Sequence, residues 1–306
     1  MHFIKLRFGD SSATICPDMG GNCISLIIDG CDILRTPESP EVLRKAANVY
    51  GVPFLFPPNR INGGAYTFDG RTYRFPINEP ARGHHIHGIL SETRFDVVEE
   101  TPSSVTLRYQ ANADKPYLDF PHAFTVLSRW DLSQKGLHHT LTVRNDGEGR
   151  MPTGVGFHTA FNAYFVHGDQ DPTHYRLKMS AVEEITYHPE TIIPTGERLH
   201  NTPLLNQLNG EGLQLQGEAV SRHMVRGDGG AQLIHLPSGR TVQYDVSDGL
   251  RYWMLWNAGG DKGFICPEPQ SWIVDAPNQS HKTEESGFRA LDCGESFTVE
   301  TNISLH

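Results

Sequence analysis

Short runs of apolar and β-branched residues, each closed by glycine, proline, aspartate or asparagine, recur along almost the whole chain. Residues 13–30 illustrate the pattern, because the runs ATIC and ISLII are separated by the turn sequence PDMGG and followed by DG. This rhythm is typical of strands joined by tight turns, whereas a helix needs apolar residues at intervals of three and four. The sequence therefore predicts a protein built from antiparallel strands.

The clearest hairpin lies at residues 66–75, where two short strand-like runs flank Asp69 and Gly70. An Asp-Gly pair favours the turn whose backbone twist matches that of two paired strands. Helical periodicity is weak throughout, and only residues 40–49 are predicted to form a turn or two of helix.

The number of predicted strands sets the fold class. So many strands exceed what a small closed barrel with a filled interior holds. We therefore predict an all-β fold, a large antiparallel β-sandwich with few short helices. No stretch rich in proline, glycine or serine is long enough to link two domains, and no repeat of fixed period stands out. Residues 1–306 are predicted to form one domain.

Composition and charge exclude several classes of partner. The 306 residues are 38% hydrophobic, enough for a sizeable core, and the formal net charge is -10. Since no long run of lysine and arginine occurs, the attraction that draws proteins to nucleic acid or anionic lipid is absent. No window is long and apolar enough to cross a bilayer, and the N-terminus lacks the pattern of a secretory signal. We expect a cytoplasmic protein without nucleic-acid or membrane partners.

Cysteine and histidine raise the question of metal binding. Five cysteines at irregular spacing fit neither a disulfide framework nor a four-thiolate zinc site, so we expect buried, reduced thiols. Sixteen histidines are many for this length, and His84, His85 and His87 stand close together. On a strand, His85 and His87 would share one face and could bind an ion with a third ligand from elsewhere. A metal site at these residues is an open alternative.

One carboxylate has an unusual setting. Glu268 lies between two prolines in residues 263–270, GFICPEPQ, just after an apolar run. The prolines restrict the backbone, so the side chain would lose little entropy on reaching a substrate, and desolvation by apolar neighbours would raise its pKa. That setting suits a general base. A glutamate in a rigid turn at a strand end is an equally good interpretation of this segment alone.

Three more segments combine polar side chains with rigid or small neighbours. They are residues 57–61 (PPNRI), 83–88 (GHHIHG) and 154–162 (GVGFHTAFN). Together with residues 263–278, and in this order, they resemble the aldose 1-epimerase (galactose mutarotase) family. Similar agreement extends to residues 17–21 (PDMGG), 193–197 (IPTGE) and 237–240 (PSGR), so the resemblance spans nearly the whole chain.

The resemblance implies a β-sandwich of the galactose mutarotase type with a sugar-binding cleft on one sheet. It implies an isomerase that interconverts the α and β anomers of an aldose, with a small-molecule sugar as substrate. In that reaction the ring opens when the C1 hydroxyl loses a proton and the ring oxygen gains one, and it closes with both transfers reversed. One base and one acid suffice, so we expect no cofactor and no metal in the reaction.

The family's pattern assigns roles to individual residues of this chain. It implies that Glu268 takes the proton of the C1 hydroxyl and that His158 delivers one to the ring oxygen. It implies substrate-binding roles for His87, Arg60, Asn59 and Asn162. The alternatives are a core histidine bonded to a backbone carbonyl for His158 and a surface ion pair for Arg60. Since unperturbed glutamate and histidine titrate about two pH units apart, we expect a bell-shaped dependence of rate on pH.

The chain departs from the family where many members carry an aspartate followed by a histidine. Residues 220–224 read VSRHM there and contain no acid. Arg222 or His223 would suit an anionic sugar, so an epimerase of a charged or phosphorylated sugar is an alternative. A carbohydrate-binding or regulatory protein without turnover is another, and the sequence leaves a homodimer open. The candidates for stacking on a sugar, or for the core, are Trp253, Trp256 and Trp272.

Overall fold

A computed structural model describes the backbone of residues 1–306 and the side chains of residues 1–279 and 285–306. Strands dominate the chain. In chain order they are β1 Ile4–Phe8, β2 Ser11–Cys16, β3 Asn22–Ile28, β4 Cys31–Asp32, β5 Phe54–Leu55, β6 Arg60–Asn62, β7 Ala65–Phe68, β8 Arg71–Arg74, β9 His84–Ile86, β10 Asp96–Glu100, β11 Ser104–Ala111, β12 Phe124–Ser133, β13 Gly136–Asn145, β14 Met151–Pro152, β15 Gly156–Phe157, β16 Phe161–Asn162, β17 Tyr175–Tyr187, β18 Pro194–Leu199, β19 Leu213–Gln214, β20 Ser221–His235, β21 Thr241–Val246, β22 Tyr252–Trp256, β23 Phe264–Gln270, β24 Ala290–Leu291 and β25 Ser296–Leu305.

The helices are short and connect strands. The α-helices are α1 Pro40–Lys45, α2 Pro203–Asn209 and α3 Thr283–Ser286, and 3₁₀ turns form at Ala47–Val49, Leu90–Glu92, Pro172–His174 and Ala276–Lys282. Among the described residues, no helix is both long enough and apolar enough to cross a membrane.

The strands form one large sheet and several small ones. The main sheet has 15 strands, with the path β10-β11-β12-β13-β25-β21-β20-β22-β23-β15-β5 and further pairings of β16 with β23 and of β17 with β18, β19 and β20. A separate sheet joins β1 to β4 in order, and two-stranded ribbons pair β14 with β24, β6 with β9 and β7 with β8. Each of these pairings is antiparallel.

Strand β20 carries the main sheet from one layer of the sandwich to the other. Along one edge, its residues 221–225 pair with β22 and its residues 231–234 pair with β21. Residues 226–230 separate the two pairings. A Cβ atom on Gly230 would clash with the carbonyl oxygen of Tyr244, so the close approach of the strands at this point requires glycine.

Aromatic rings join the two layers in the core. The indole of Trp130 on β12 stacks on the ring of His139 on β13, with ring centroids 3.6 Å apart. His139 packs edge-on against Phe157 on β15 at 5.1 Å, and Phe157 packs against Phe54 on β5 at 6.3 Å. Strands from both ends of the main sheet therefore face each other across a shared core, which confirms the predicted sandwich.

The predicted hairpin and the predicted helical turn are both present. β7 and β8 pair around Asp69 and Gly70, whose φ angles of 48° and 74° are those of the expected turn type. Residues 40–49 contain α1, whose first turn is capped by the side chain of Ser39, and the 3₁₀ turn that follows it.

Helix α2 lies where apolar periodicity does not predict one, so the expectation of no helix beyond residues 40–49 is wrong. Its start is marked all the same. The Thr202 side chain accepts a hydrogen bond from the N–H of Leu205, and Pro203 occupies the first position. With only seven residues, the helix is too short for a periodic pattern to stand out.

All five cysteines are free thiols. Four are buried, as expected, namely Cys16, Cys23, Cys31 and Cys266. Cys293 is exposed, so the expectation of burial is wrong for that residue.

Candidate active site

A cleft of about 630 Å³ lies on the face of β20, β22 and β23 that points away from the sandwich core. Along β22, Trp253 and Leu255 belong to the core, whereas Met254 and Trp256 line the cleft, as expected when successive strand residues point to opposite faces. Trp272 is also a core residue. The described lining residues are Asn48, Val49, Asn59, Arg60, Arg82, Ile86, His87, His158, Tyr187, Pro189, Ile192, Ser221, Met254, Trp256 and Glu268.

Strand register brings His158 and Glu268 together. β15 and β16 both pair with β23, through Gly156 and Phe161 respectively, and the two contacts follow one continuous register. That register sets His158, which lies between the two short strands, directly opposite Glu268. Residues directly opposite each other in an antiparallel pair place their side chains on the same face of the sheet. Two residues far apart in the chain therefore meet in the cleft.

The prolines around Glu268 explain why the ladder is broken at this point. Pro267 and Pro269 have no N–H to donate, so this stretch of β23 cannot complete hydrogen bonds with the chain opposite. The chain opposite is held along its other edge, where the N–H groups of His158 and Ala160 donate to the carbonyls of Pro53 and Gly51 at 3.0 and 2.8 Å. Glu268 thus lies inside a strand, and its interpretation as a strand-end residue in a rigid turn is wrong.

Glu268 and His158 are in contact inside the cleft. Nε2 of His158 lies 3.2 Å from Oε1 of Glu268, and the two side chains are only 8% and 2% exposed. Burial raises the pKa of Glu268 well above its ordinary range and lowers the pKa of His158 to about 4, because each charged form loses its hydration. These shifts reverse the order expected for unperturbed groups. Burial therefore favours the state in which both members are uncharged and the pair holds one proton.

The ring of His158 is not satisfied by a backbone carbonyl. Its Nδ1 atom is buried and has no hydrogen-bond partner among the described residues. Its other nitrogen faces Glu268. The ring also packs edge-on against Trp256, with centroids 5.4 Å apart. The alternative of an ordinary core histidine therefore does not describe this residue.

A chain of amide groups fixes the second oxygen of Glu268. Nε2 of Gln270 donates to Oε2 of Glu268 at 3.2 Å, and Nδ2 of Asn59 donates to Oε1 of Gln270 at 3.4 Å. The direction of both bonds is set at the far end, where the backbone N–H of Arg60 donates to Oδ1 of Asn59 at 3.1 Å. Because a backbone N–H can only donate, each amide in turn must present its NH₂ group toward Glu268. The hydrogen bond from Gln270 stabilises the charged carboxylate of Glu268. It therefore lowers the pKa of Glu268 and partly opposes the effect of burial.

Arg60 lines the cleft, but its fork is already engaged. Nε and Nη2 donate to the two carboxylate oxygens of Glu79 at 2.7 and 2.8 Å, and Nη1 donates to Oδ1 of Asn59 at 3.2 Å. Arg82 shares the same carboxylate, with Nη1 3.0 Å from Oε1 of Glu79. The expected donation of the Arg60 fork to sugar hydroxyls does not fit this arrangement, since the fork holds a carboxylate. Arg60 can still offer a ligand the remaining N–H bonds of its Nη groups.

His87 stands beside His158, with ring centroids 5.5 Å apart and the rings nearly perpendicular. Its Nδ1 atom accepts a hydrogen bond from the backbone N–H of Asn59 at 3.3 Å, so Nε2 carries the proton of a neutral ring. Burial, reinforced by His158 and Arg60, lowers the pKa of His87 well below its ordinary value. His87 therefore offers the cleft an uncharged N–H donor.

Three residues from the chemically suggestive segments are not among the lining residues. Asn162, expected to bind substrate, instead accepts the N–H of Tyr164 at Oδ1 over 3.0 Å and fixes a turn. Asp275 accepts the N–H of Asn62 at 2.9 Å and Nδ2 of Asn278 at 2.6 Å. These bonds anchor β6, which begins with the cleft residue Arg60.

The acid-free segment at the start of β20 reaches the cleft through Ser221. The carbonyl of Ser221 accepts the hydroxyl of Tyr187 at 2.8 Å and Nη1 of Arg222 at 2.9 Å. Arg222 also lies 3.6 Å from the carboxylate of Glu184, outside the cleft. His223 is buried and does not line the cleft either. Neither residue is among those that line the cleft.

The histidines at residues 84–87 do not converge on a metal site. Nε2 of His84 donates to the carbonyl of Thr191 at 2.9 Å, and Nδ1 of His85 donates to the carbonyl of Pro76 at 2.8 Å. Among the described residues, no metal-ligating group forms around them. The metal alternative for this segment therefore does not hold.

Several cleft residues were not predicted, because their own residue types do not indicate a role in binding or chemistry. Arg82 has the best signal, since it directly precedes the histidine-rich segment. The others come from strands and from the segments that connect them, and they are Asn48, Val49, Ile86, Tyr187, Pro189, Ile192, Ser221 and Met254.

The whole chain is similar to known proteins. The family profile described as Aldose 1-epimerase matches residues 2–304. Among solved structures, the chain is similar to a galactose mutarotase-like protein from Clostridium acetobutylicum, with a TM-score of 0.94 and 30% sequence identity. That match covers 99% of this chain and 95% of the other.

Two proteins of Escherichia coli are similar in sequence. The uncharacterized protein YphB is 24% identical over 294 residues, which cover 94% of this chain and 93% of that relative. The uncharacterized protein YihR is 31% identical over 156 residues, or 51% of this chain. The second match spans about half of the relative's length, 48%.

Proposed function

The chain belongs to the aldose 1-epimerase family, and from this premise we propose that it interconverts the α and β anomers of an aldose by opening and closing the sugar ring. The observation that carries the proposal is the contact between Glu268 and His158 inside the cleft. Burying two ionisable groups costs free energy, so a protein that only binds a neutral sugar gains nothing from this pair. Such perturbed pairs in clefts are typical of sites for proton transfer.

The single proton held by the pair matches the needs of the reaction. With the pair in its ion-pair form, the C1 hydroxyl lies at Oε1 of Glu268 and the ring oxygen lies at Nε2 of His158. Glu268 takes the hydroxyl proton as the bond between C1 and the ring oxygen breaks, and His158 protonates that oxygen. The product is an open-chain aldehyde with a free hydroxyl, and the pair is now uncharged.

Ring closure reverses both transfers. After rotation about the bond between C1 and C2, His158 removes the proton of the free hydroxyl as its oxygen attacks the other face of the carbonyl. Glu268 returns its proton to the carbonyl oxygen, which becomes the C1 hydroxyl of the other anomer. The pair ends in the state in which it began. Its uncharged form, which burial favours, is the form needed while the sugar is open.

Neighbouring groups orient the reactants. Gln270 holds Oε2 of Glu268, so Oε1 is the oxygen left to receive the substrate proton. The uncharged N–H of His87 can bond to the ring oxygen or an adjacent hydroxyl without competing as an acid. Trp256 offers an indole beside the imidazole of His158, in position to pack against the apolar face of a sugar.

An aldose with an anionic substituent is a second candidate substrate. Arg60 and Arg82 share the single carboxylate of Glu79 at the cleft, which leaves one positive charge without a counterion in this group. A carboxylate or phosphate on the sugar would supply that counterion. This candidate changes the substrate and not the proposed chemistry of Glu268 and His158.

The proposal is tested with freshly dissolved α-glucose, α-galactose and the corresponding uronic acids. We expect the purified protein to accelerate the change of optical rotation in at least one of these solutions, in proportion to enzyme concentration. NMR would identify the anomers directly. If the protein only binds sugars, adding a sugar would shift NMR signals of the protein, but every rate of anomer interconversion would stay at the spontaneous value. That result would exclude the proposed activity for these sugars.

The rate should be bell-shaped in pH, with limbs set by the pair. The active enzyme holds one proton on the pair, so activity falls when a second proton binds or the last one leaves. Because burial lowers the pKa of His158 to about 4, kcat/KM should persist well below the ordinary pKa of histidine and fall only at about pH 4. Because burial raises the pKa of Glu268, the alkaline limb should be displaced upward from the ordinary range of glutamate.

The pH profile is measured as kcat/KM after subtraction of the spontaneous reaction at each pH. Independent, unperturbed groups would instead give an alkaline limb at about pH 6.5, the ordinary pKa of histidine. An alkaline limb in the ordinary range of glutamate would contradict the sharing of one proton by Glu268 and His158, because burial raises the pKa of Glu268 above that range.

A further inference from the structure

A second cluster of ionisable side chains lies outside the cleft, where the end of β20 meets the start of β17. Asp169, His174 and His235 come from three separate segments, and their ligand-type atoms lie within 4.8 Å of one another. Oδ2 of Asp169 is 2.7 Å from Nδ1 of His174 and 2.9 Å from Nε2 of His235. The proposed chemistry uses none of these residues.

In each of these three side chains, the oxygen or nitrogen that points away from the cluster has a polar neighbour. Oδ1 of Asp169 accepts the backbone N–H of Asp171 at 3.0 Å. Nδ1 of His235 is 2.7 Å from Oγ of Ser238, and Nε2 of His174 is 3.7 Å from Oδ2 of Asp171. Metal ligands in proteins are typically oriented by such outer partners, which fix the rings and the carboxylate before the ion arrives.

The backbone around the cluster is also tied down. The hydroxyl of Tyr175 donates to the carbonyl of Asp169 at 2.8 Å, and the N–H of Leu236 donates to the carbonyl of His174 at 2.8 Å. His235 is nearly buried, with 5% of its side chain exposed, whereas His174 is 40% exposed. The cluster is therefore held together on the protein side and accessible from solvent on the other.

We propose that Asp169, His174 and His235 bind one divalent transition-metal ion, with Zn²⁺ as the best match and water completing the coordination. Two imidazoles and one carboxylate form the mixed nitrogen and oxygen set that zinc takes in proteins. Mg²⁺ and Ca²⁺ prefer oxygen ligands, so they fit this set poorly.

The surroundings permit the proton rearrangement that binding requires. Without an ion, Nδ1–H of His174 and Nε2–H of His235 donate to Asp169. On binding, each of these nitrogens must present a lone pair, so each ring carries its proton on the other nitrogen. In that state, Nε2–H of His174 points to the carboxylate of Asp171 and Nδ1–H of His235 points to the hydroxyl of Ser238. Both the carboxylate and the hydroxyl can accept a hydrogen bond.

The distances require only a small adjustment. Around a tetrahedral ion with bonds of about 2.1 Å, neighbouring ligand atoms lie roughly 3.4 Å apart. The two imidazole nitrogens are 2.7 and 2.9 Å from the Asp169 oxygen and within 4.8 Å of each other, and the partly exposed ring of His174 can move outward. The ion would tie the loop before β17 to the end of β20, so we expect it to stabilise the fold without contributing to the chemistry of the cleft.

The test uses the chain of residues 1–306, stripped with a chelator and returned to chelator-free buffer. Titration with Zn²⁺ should show saturable one-to-one binding by calorimetry and a higher Tm. Co²⁺ should give visible ligand-field absorption that Zn²⁺ removes. His174→Ala should abolish these signals, and Ser238→Ala, which removes only an outer partner, should weaken Zn²⁺ affinity by about 10- to 100-fold.

His167 provides the matched control, because it is exposed in the same loop and lies outside the cluster. His167→Ala should bind Zn²⁺ with wild-type affinity. The metal site is overturned if the stripped wild-type chain shows no saturable binding, or if His174→Ala binds as wild type does. In the first case the cluster is a hydrogen-bonded tie between two segments. Ser238→Ala keeps the test decisive if His174→Ala folds poorly.

Discussion

Replacing Glu268 by glutamine is expected to lower kcat for anomer interconversion by about 100- to 10,000-fold, the range over which one positioned acid or base contributes. The amide has nearly the size of the carboxyl group and can still accept the hydrogen bond from Gln270, so the fold should persist. It cannot take up the proton of the C1 hydroxyl. Because the Glu268 side chain is only 2% exposed, water has little access to replace it as a base. Polarimetry, with the spontaneous rate subtracted, measures the loss.

Glu184 provides a matched control for this variant. It is a buried carboxylate on β17 that accepts a hydrogen bond from Thr202 and does not line the cleft. Glu184→Gln should therefore keep a rate close to wild type while making the same change of side chain at another buried position. Thermal melting of both variants establishes that they are folded. Wild-type turnover in Glu268→Gln would show that the base lies elsewhere.

Replacing His158 by asparagine should cost a similar factor, about 100- to 10,000-fold in kcat, because the ring oxygen loses its proton donor. The variant should also change its pH dependence. With the imidazole gone, the residual rate depends on Glu268 alone, whose pKa burial raises. The base is active only when deprotonated, so the residual kcat/KM should rise with pH as that carboxyl group loses its proton.

His122 serves as the control for the loss of a buried imidazole. It is buried away from the cleft, with Nε2 2.9 Å from the hydroxyl of Tyr73. His122→Asn should affect Tm and leave the shape of the pH profile unchanged. If His158→Asn and His122→Asn shared one pH profile, the proposed role of His158 as the acid would be untenable.

The double variant tests whether the two residues act as one unit. Groups that transfer protons in the same step show strongly non-additive losses. We therefore expect Glu268→Gln combined with His158→Asn to be about as slow as the slower single variant. Losses that multiply would instead indicate two residues acting in independent steps.

The fold was largely predictable because its signals are local. Short apolar runs and the Asp69-Gly70 turn act over a few neighbouring residues, and the structure contains the corresponding strands and hairpin. Helix α2 was not predicted, since seven residues give too little periodicity, although Thr202 and Pro203 mark its start. The expected burial of Cys293 was wrong, because the exposure of a cysteine depends on which distant residues pack over it.

The site was predictable in its residue types and less so in its contacts. Five of the six expected residues line one cleft, and they are Glu268, His158, His87, Arg60 and Asn59. The hydrogen bonds of the Asn59 side chain, however, are made to its neighbours Arg60 and Gln270. Asn162 fixes a turn instead. The engagement of Arg60 by Glu79 could not be anticipated, since nothing in the intervening sequence marks the two as partners.

The sequence by itself determined that the chain forms strands and turns, and it determined the order of the segments that carry a base, an acid and polar donors. These properties belong to residue types and to their near neighbours. Only the tertiary structure decided that His158 stands opposite Glu268, because strand register brings distant segments together. It also decided which way their pKa values move, because desolvation depends on everything packed around a group and not on the residue itself.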